Sequence, residues 1–243
     1  MIPVLSAHSQ DVLTPNDRQQ AENAVRILVD ASRFIDWGKF SWGFHLSPSI
    51  SWLNVSHNDL RTDGATITGE FGISGNYDLS KRFSLVTGLN LGIQGGYVFD
   101  SLSLNDLSTR NNFLINYYTL ELPIMLRVST LPVNRLSYYA QAGVTPGIML
   151  GAREYHKSSA PNFSDKKSDI FNLSNPAFVS LQVGFGTKLN VFRSIAIFAE
   201  VNYKSSLVNM ASDTGYRAAM IYTDQSVPNI VAGNMLFSVG VLF

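Results

Sequence analysis

Cysteine is absent from the 243-residue chain, which excludes disulfides, thiolate metal centres and a cysteine nucleophile together. Charge is scarce as well: Asp, Glu, Lys and Arg make up 15% of residues, against the ~25% usual in soluble domains. The signs balance, with 18 basic and 18 acidic side chains, so no surface for nucleic acid is expected. Nor does any uninterrupted apolar run approach the ~18 to 20 residues that a membrane-spanning helix needs. If such a chain crosses a bilayer, it must do so with strands. What it has instead is aromatic residues, 12% of the total, and 18 glycines.

From Lys39 onward, apolar residues recur at every second position. In Phe40-Ser41-Trp42-Gly43-Phe44-His45-Leu46-Ser47-Pro48-Ser49-Ile50-Ser51-Trp52 every even position is apolar and every odd one small or polar. That is long for a strand of a soluble protein. The pattern returns over 65–79, 83–99, 114–128, 136–150, 177–189, 195–207 and 231–243, giving eight segments. The links at 80–82, 131–135 and 190–194 are short, whereas those at 53–64, 100–112, 153–175 and 208–228 are long and polar. Short turns at one end, long loops at the other and an even strand count are the arrangement of bacterial outer-membrane barrels, with the short turns periplasmic. Aromatics fall where interface belts need them: Phe40, Trp42, Tyr77, Tyr138 and Phe243 near the turns, and Trp52, Tyr97, Phe99 and Tyr203 near the loops. The expected fold is all-β, an eight-stranded antiparallel up-and-down transmembrane β-barrel over 39–243, preceded by a short amphipathic helix.

That helix is read over residues 14–37. Thr14-Pro15 supplies a cap followed by proline at the first helical position. Arg18, Glu22, Arg26 and Asp30 then alternate in sign at spacings of four, and Ala21, Val25, Leu28, Ser32 and Ile35 form a mostly apolar stripe. Ahead of it, Ile2-Pro3-Val4-Leu5 reads as the end of a signal-peptide core and Ala7-His8-Ser9 as its cleavage site. The domain plan is therefore a residual signal peptide over 1–9, a periplasmic segment with the helix over 10–38, and the barrel.

The inward positions carry His45, Glu70, Asn90, Gln94, Tyr117, Glu121, Arg127, Tyr139, Gln141, Gln182, Lys188, Glu200, Asn202 and Lys204, interleaved with glycines. A barrel of eight strands is just wide enough for side chains to fill, so a packed polar plug without an open pore is expected, the glycines making room for larger residues. The candidate cluster is Glu70, Glu121, Arg127, Lys188, Glu200 and Lys204. The three carboxylates lie near mid-depth with Lys204 as the nearest cation, while Arg127 and Lys188 sit closer to the periplasm. Three carboxylates with too few cations at their own level are expected either to raise at least one pKa or to recruit a long side chain from below. Pro123 cannot donate to a ladder, so a bulge or an open hydrogen bond facing the lumen is expected there, with Glu121 placed to accept from a neighbouring strand. No enzyme is expected: His45, His57 and His156 lack metal-ligand spacing, no phosphate-binding glycine loop is present, and the His-x-Ser at His156-Lys157-Ser158 falls in a long polar link. No cofactor, metal or catalytic residue is assigned.

Tyr118-Thr119-Leu120-Glu121-Leu122-Pro123-Ile124-Met125-Leu126-Arg127 resembles a strand common in the PorT family of small outer-membrane β-barrel proteins of Bacteroidota. Tyr139-Ala140-Gln141-Ala142-Gly143-Val144 is similar to the glycine-containing strand that follows it, and Trp42-Gly43-Phe44-His45-Leu46-Ser47-Pro48 to the family's first strand. The resemblance covers 39–243 and leaves out the helix. It implies an eight-stranded barrel and, for the member that names the family, a part in type IX protein secretion. Two functions stay open: a non-catalytic scaffold or accessory component of an envelope machine, and a stand-alone narrow channel or surface-binding barrel. The partners expected are outer-membrane lipid and a periplasmic or secretion-machinery protein.

Overall fold

The structure, a computed structural model, describes residues 40–56, 60–100, 111–158, 166–192, 194–212 and 228–243, together with Gln19, which is helical. The signal-peptide remnant and the rest of the expected helix lie outside the described residues. The chain divides into two units, 1–40 and 41–243, and the second is the barrel.

Its strands are β1 (Phe40–Ser56), β2 (Leu60–Asp78), β3 (Phe83–Asp100), β4 (Asn111–Glu121), β5 (Ile124–Ser129), β6 (Leu136–Ser158), β7 (Lys166–Asp169), β8 (Ala177–Asn190), β9 (Ala196–Ser206) and β10 (Asn229–Leu242). Each pairs antiparallel with its neighbour, and β10 returns to β1, from Gly43 opposite Leu242 to Ser56 opposite Asn229. The pairing therefore closes as a ring. In hydrocarbon no water can satisfy an open strand edge, so closure is what lets strands cross a bilayer. β4 and β5 occupy one place in the ring, both lying between β3 and β6, and β7 adds to β6 alone. Eight spanning positions result, as the alternation predicts.

The two faces separate as expected. Phe71, Leu91, Leu122, Val183, Phe185 and Val239 point out, Phe185 with 66% of its surface free, whereas Ser47, Ser51, Thr145 and Ser180 point in and are fully covered. On β1, Trp42 and Trp52 are ten residues apart, about 25 Å of height at ~3.3 Å per residue and ~40° tilt, the height of a barrel's apolar band. Trp42 packs against Phe44 and Phe243, each 5.4 Å between centroids, and Trp52 stacks on Tyr203 at 6.1 Å.

Two expectations need correction. The links at 53–64 and 153–175 are in large part strand: β1 runs to Ser56 and β2 starts at Leu60, while β6 continues to Ser158. His156-Lys157-Ser158 is therefore in a strand and not a loop. Outside the bilayer both faces of a strand meet water, so alternation fades while the ladder continues. Of the two alternatives at Pro123, a bulge or an open hydrogen bond, the bulge is not the one found: the register shift on this strand lies between Tyr118, opposite Gly151, and Thr119, opposite Met149. Across Pro123 the register is unbroken, Glu121 facing Gly147 and Ile124 facing Val144. A missing donor opens the ladder without requiring an extra residue. Leu122 N–H donates to Pro146 O at 2.9 Å, and Pro146, itself without an N–H, returns nothing.

At the short-turn end, residues 79–82, 130–135 and 191–195 reverse the chain. The second reversal is the tightest: Val133 and Leu136 exchange backbone hydrogen bonds of 2.8 and 3.0 Å, with Asn134 and Arg135 at φ 51° and 72°. That is the left-handed pair a two-residue hairpin demands, usually filled by Asn-Gly.

Candidate functional site

Inward-facing side chains fill the lumen in layers. Ala196, Phe198 and Leu242 cluster near the turn end. Toward the loop end a larger apolar core includes Leu53, Val98, Ile115, Tyr117, Met149 and Ile230, joined by Ile170 and by Met210 and Ala211 from the stretch after β9. Between these lies a belt of polar residues built from β1 through β10.

Lys204 on β9 is its centre. The side chain is 2% exposed, and its Nζ donates to Glu70 Oε2 at 2.7 Å and to Glu121 Oε2 at 2.6 Å. One lysine thus bridges β2 and the β4 end across the barrel. The second oxygen of each carboxylate is also held: Glu70 Oε1 accepts from Asn90 Nδ2 at 2.7 Å with His45 Nε2 at 3.9 Å, and Glu121 Oε1 accepts from Thr119 Oγ1 at 2.9 Å and from Gln94 Nε2 on β3. The expectation that Glu121 accepts from a neighbouring strand is met by Gln94. Asn234 Nδ2 donates to Gln94 Oε1 at 3.1 Å, carrying the network to β10.

A second group lies closer to the turns. Arg127 donates to Gln141 Oε1 through two nitrogens, at 2.9 and 2.7 Å, stacks 4.0 Å over the Tyr139 ring, and reaches Glu200 Oε2 at 3.4 Å. Glu200 also accepts from Tyr139 Oη at 2.7 Å and from Asn202 Nδ2 at 2.9 Å. Of the two alternatives for the surplus of carboxylates, Arg127 supplies the long side chain from below for Glu200. Gln141 Nε2 donates to Asn202 Oδ1 at 2.9 Å and ties the two sides together. Glycine supplies the space: a Cβ on Gly186 would lie 2.7 Å from both Tyr139 Cζ and Glu200 Cβ.

Five of the six candidate residues therefore meet in two ion-paired groups. Lys188, the sixth, is half-buried near the turn end and belongs to neither. The cavity left between the groups, lined by Glu70, Asn90, Arg127, Glu200 and others, is ≈ 30 Å³, room for a water or two. What sequence reasoning missed is the apolar outer layer, because inward positions were expected to be polar throughout. Its signal is the loss of alternation at Trp52-Leu53, Tyr97-Val98-Phe99 and Ile148-Met149-Leu150, where both faces become apolar.

A closed ring of strands, apolar outside and packed inside, defines a transmembrane β-barrel of the bacterial outer membrane. The chain belongs to the family described as outer membrane protein beta-barrel domain, whose model matches residues 18–212. No curated protein matches the sequence significantly. Among solved structures the chain is similar to the outer membrane protease OmpT of Escherichia coli, at 10% identity over 84% of this chain and 96% of that one, with a TM-score of 0.48. It is similar also to Neisserial surface protein A, at 14% identity over 82% and 95% with a TM-score of 0.39. Ail, the attachment invasion locus protein of Yersinia pestis, matches at 13% over 84% and 99%, with a TM-score of 0.36. At such identities nothing of these proteins' activities transfers to this chain.

Proposed function

We propose that this barrel is a non-catalytic scaffold or accessory component of an envelope machine, working through the surfaces at its two ends and not through its interior. The filled lumen carries this reading: among the described residues a buried lysine locked to two carboxylates, an apolar layer outside it and a cavity of ≈ 30 Å³ leave no room for a hydrated ion to pass. The resemblance of the strand around Glu121 and Pro123 to the PorT family supports type IX secretion as that machine. In planar bilayers the purified protein should give no conductance above the lipid background, and cells lacking it should retain adhesin and protease precursors in the periplasm. Stable single-channel steps would refute the scaffold reading, and normal secretion in the null strain would refute its type IX form.

A second reading, a surface-binding barrel, draws on the strands that outrun the membrane. β6 continues eight residues past the exposed Leu150, about 20 Å of height at ~3.3 Å per residue and ~40° tilt. Secretion unaffected in the null strain, together with lost binding of cells to a host or matrix surface, would favour it.

A further inference from the structure

The three short turns carry charge of one sign. Residues 79–82, 130–135 and 191–195 hold Lys81, Arg82, Arg135 and Arg193 and not one Asp or Glu. Among the described residues no carboxylate lies within ion-pair distance of Lys81, Arg82 or Arg135. The same turns expose large apolar side chains: Leu79, Leu131, Val133 at 72% and Phe192 at 68%. A rim both cationic and apolar is unsuited to open water. It suits the boundary where acyl chains meet anionic headgroups.

Arg135 adds a separate observation. Its φ of 72° is one that side chains disfavour and that hairpins of this type give to glycine. Arginine stands there nonetheless, with its guanidinium at the rim and one nitrogen 3.5 Å from Val191 O of the next turn.

Beside these cations a groove of ≈ 560 Å³ opens on the outer surface of the barrel, lined by Arg82, Val128, Thr130, Leu131, Tyr138 and Ala140. It follows the β5–β6 seam, where Thr130 and Tyr138 are joined by backbone and hydroxyl hydrogen bonds of 2.8 and 3.0 Å. One end is a guanidinium and the body is apolar, the polarity of a phospholipid in outline.

We infer that the short-turn rim is a binding surface for phospholipids of net negative headgroup charge, with one defined seat in the β5–β6 groove. The phosphate lies against Arg82 and Lys81, and an acyl chain lies along Val128, Ala140 and Tyr138. Arg135 extends the same field around the rim. The occupant is a lipid of the periplasmic leaflet, since this end of an outer-membrane barrel faces that leaflet.

The full chain, purified in detergent, is incubated with equimolar dioleoylphosphatidylglycerol and dioleoylphosphatidylcholine and examined by native mass spectrometry. Phosphatidylglycerol adducts should exceed phosphatidylcholine adducts at least fivefold. The variant carrying Lys81→Gln and Arg82→Gln should lose most of that preference, and one carrying Arg61→Gln and Arg153→Gln, at the opposite end, should keep it. Arg135→Gly is the variant whose effects oppose each other: it relieves the backbone, so its unfolding midpoint should hold or rise while its phosphatidylglycerol retention falls. Equal retention of the two lipids would overturn the inference, as would an undiminished preference in the Lys81/Arg82 variant or a loss confined to the Arg61/Arg153 variant. Displacement of the lipid by free glycerol phosphate would overturn the groove seat.

Discussion

Lys204 is the side chain on which the interior depends. Its ammonium is the shared partner of Glu70 and Glu121, and removing one member of a buried ionic group leaves uncompensated charge, at about 3 to 5 kcal/mol. Lys204→Met, similar in length, should therefore lower stability by that amount in urea unfolding from lipid vesicles. Adding Glu70→Gln and Glu121→Gln to it should recover much of the loss, because neutral amides no longer need the cation. If the single variant is as stable as the parent, the cluster contributes nothing to folding. The residue types and depth of this group are legible in the sequence, since alternation assigns each to the lumen. Who pairs with whom is not: contacts across a barrel depend on strand stagger, which no single strand encodes. Lys188 shows the limit, sharing the lumen face with Arg127 yet belonging to neither ionic group.

Strands are where the sequence speaks most plainly, because period 2 is imposed by the pleat and reinforced by two solvents, lipid outside and a packed lumen inside. Ring position and facing followed from it directly. Where one solvent changes, the signal goes: beyond the bilayer β1, β2 and β6 keep their ladders although their residues no longer alternate, and inside the outer mouth both faces turn apolar. Pro123 was readable as an interruption, but whether it shifts the register is decided by its neighbours. Depth along a strand is testable. Leu122→Arg, on the lipid face near the middle of its spanning segment, should destabilise by ~2 to 4 kcal/mol, whereas Leu79→Arg, in a turn at the interface, should be worth ~0 to 1 kcal/mol. Equal effects in vesicle unfolding titrations would mean that Leu122 does not sit at mid-depth.

Closure makes the barrel a single cooperative body, since every strand of the ring has a partner on each side and none can leave alone, β7 being an addition to β6 outside the ring. The folded protein should therefore migrate differently on an SDS gel before and after boiling, and identical mobility would argue against a closed ring in solution. The layered interior is likewise a property of the closed ring: the outer apolar core draws Leu53 from β1, Val98 from β3, Met149 from β6 and Ile230 from β10. It exists only once the first and last strands have met.

The polar belt has a consequence for how that meeting is proofread. A strand that slips by two residues against its neighbour keeps every apolar side chain toward lipid, so the outer surface cannot tell the right alignment from the wrong one. The interior can. Displaced by two residues, some 7 Å along the strand, Lys204 loses Glu70 and Glu121 together and three charges are stranded in a packed lumen. The ion triad thus acts as a key that fits one shear of the barrel and rejects the adjacent ones.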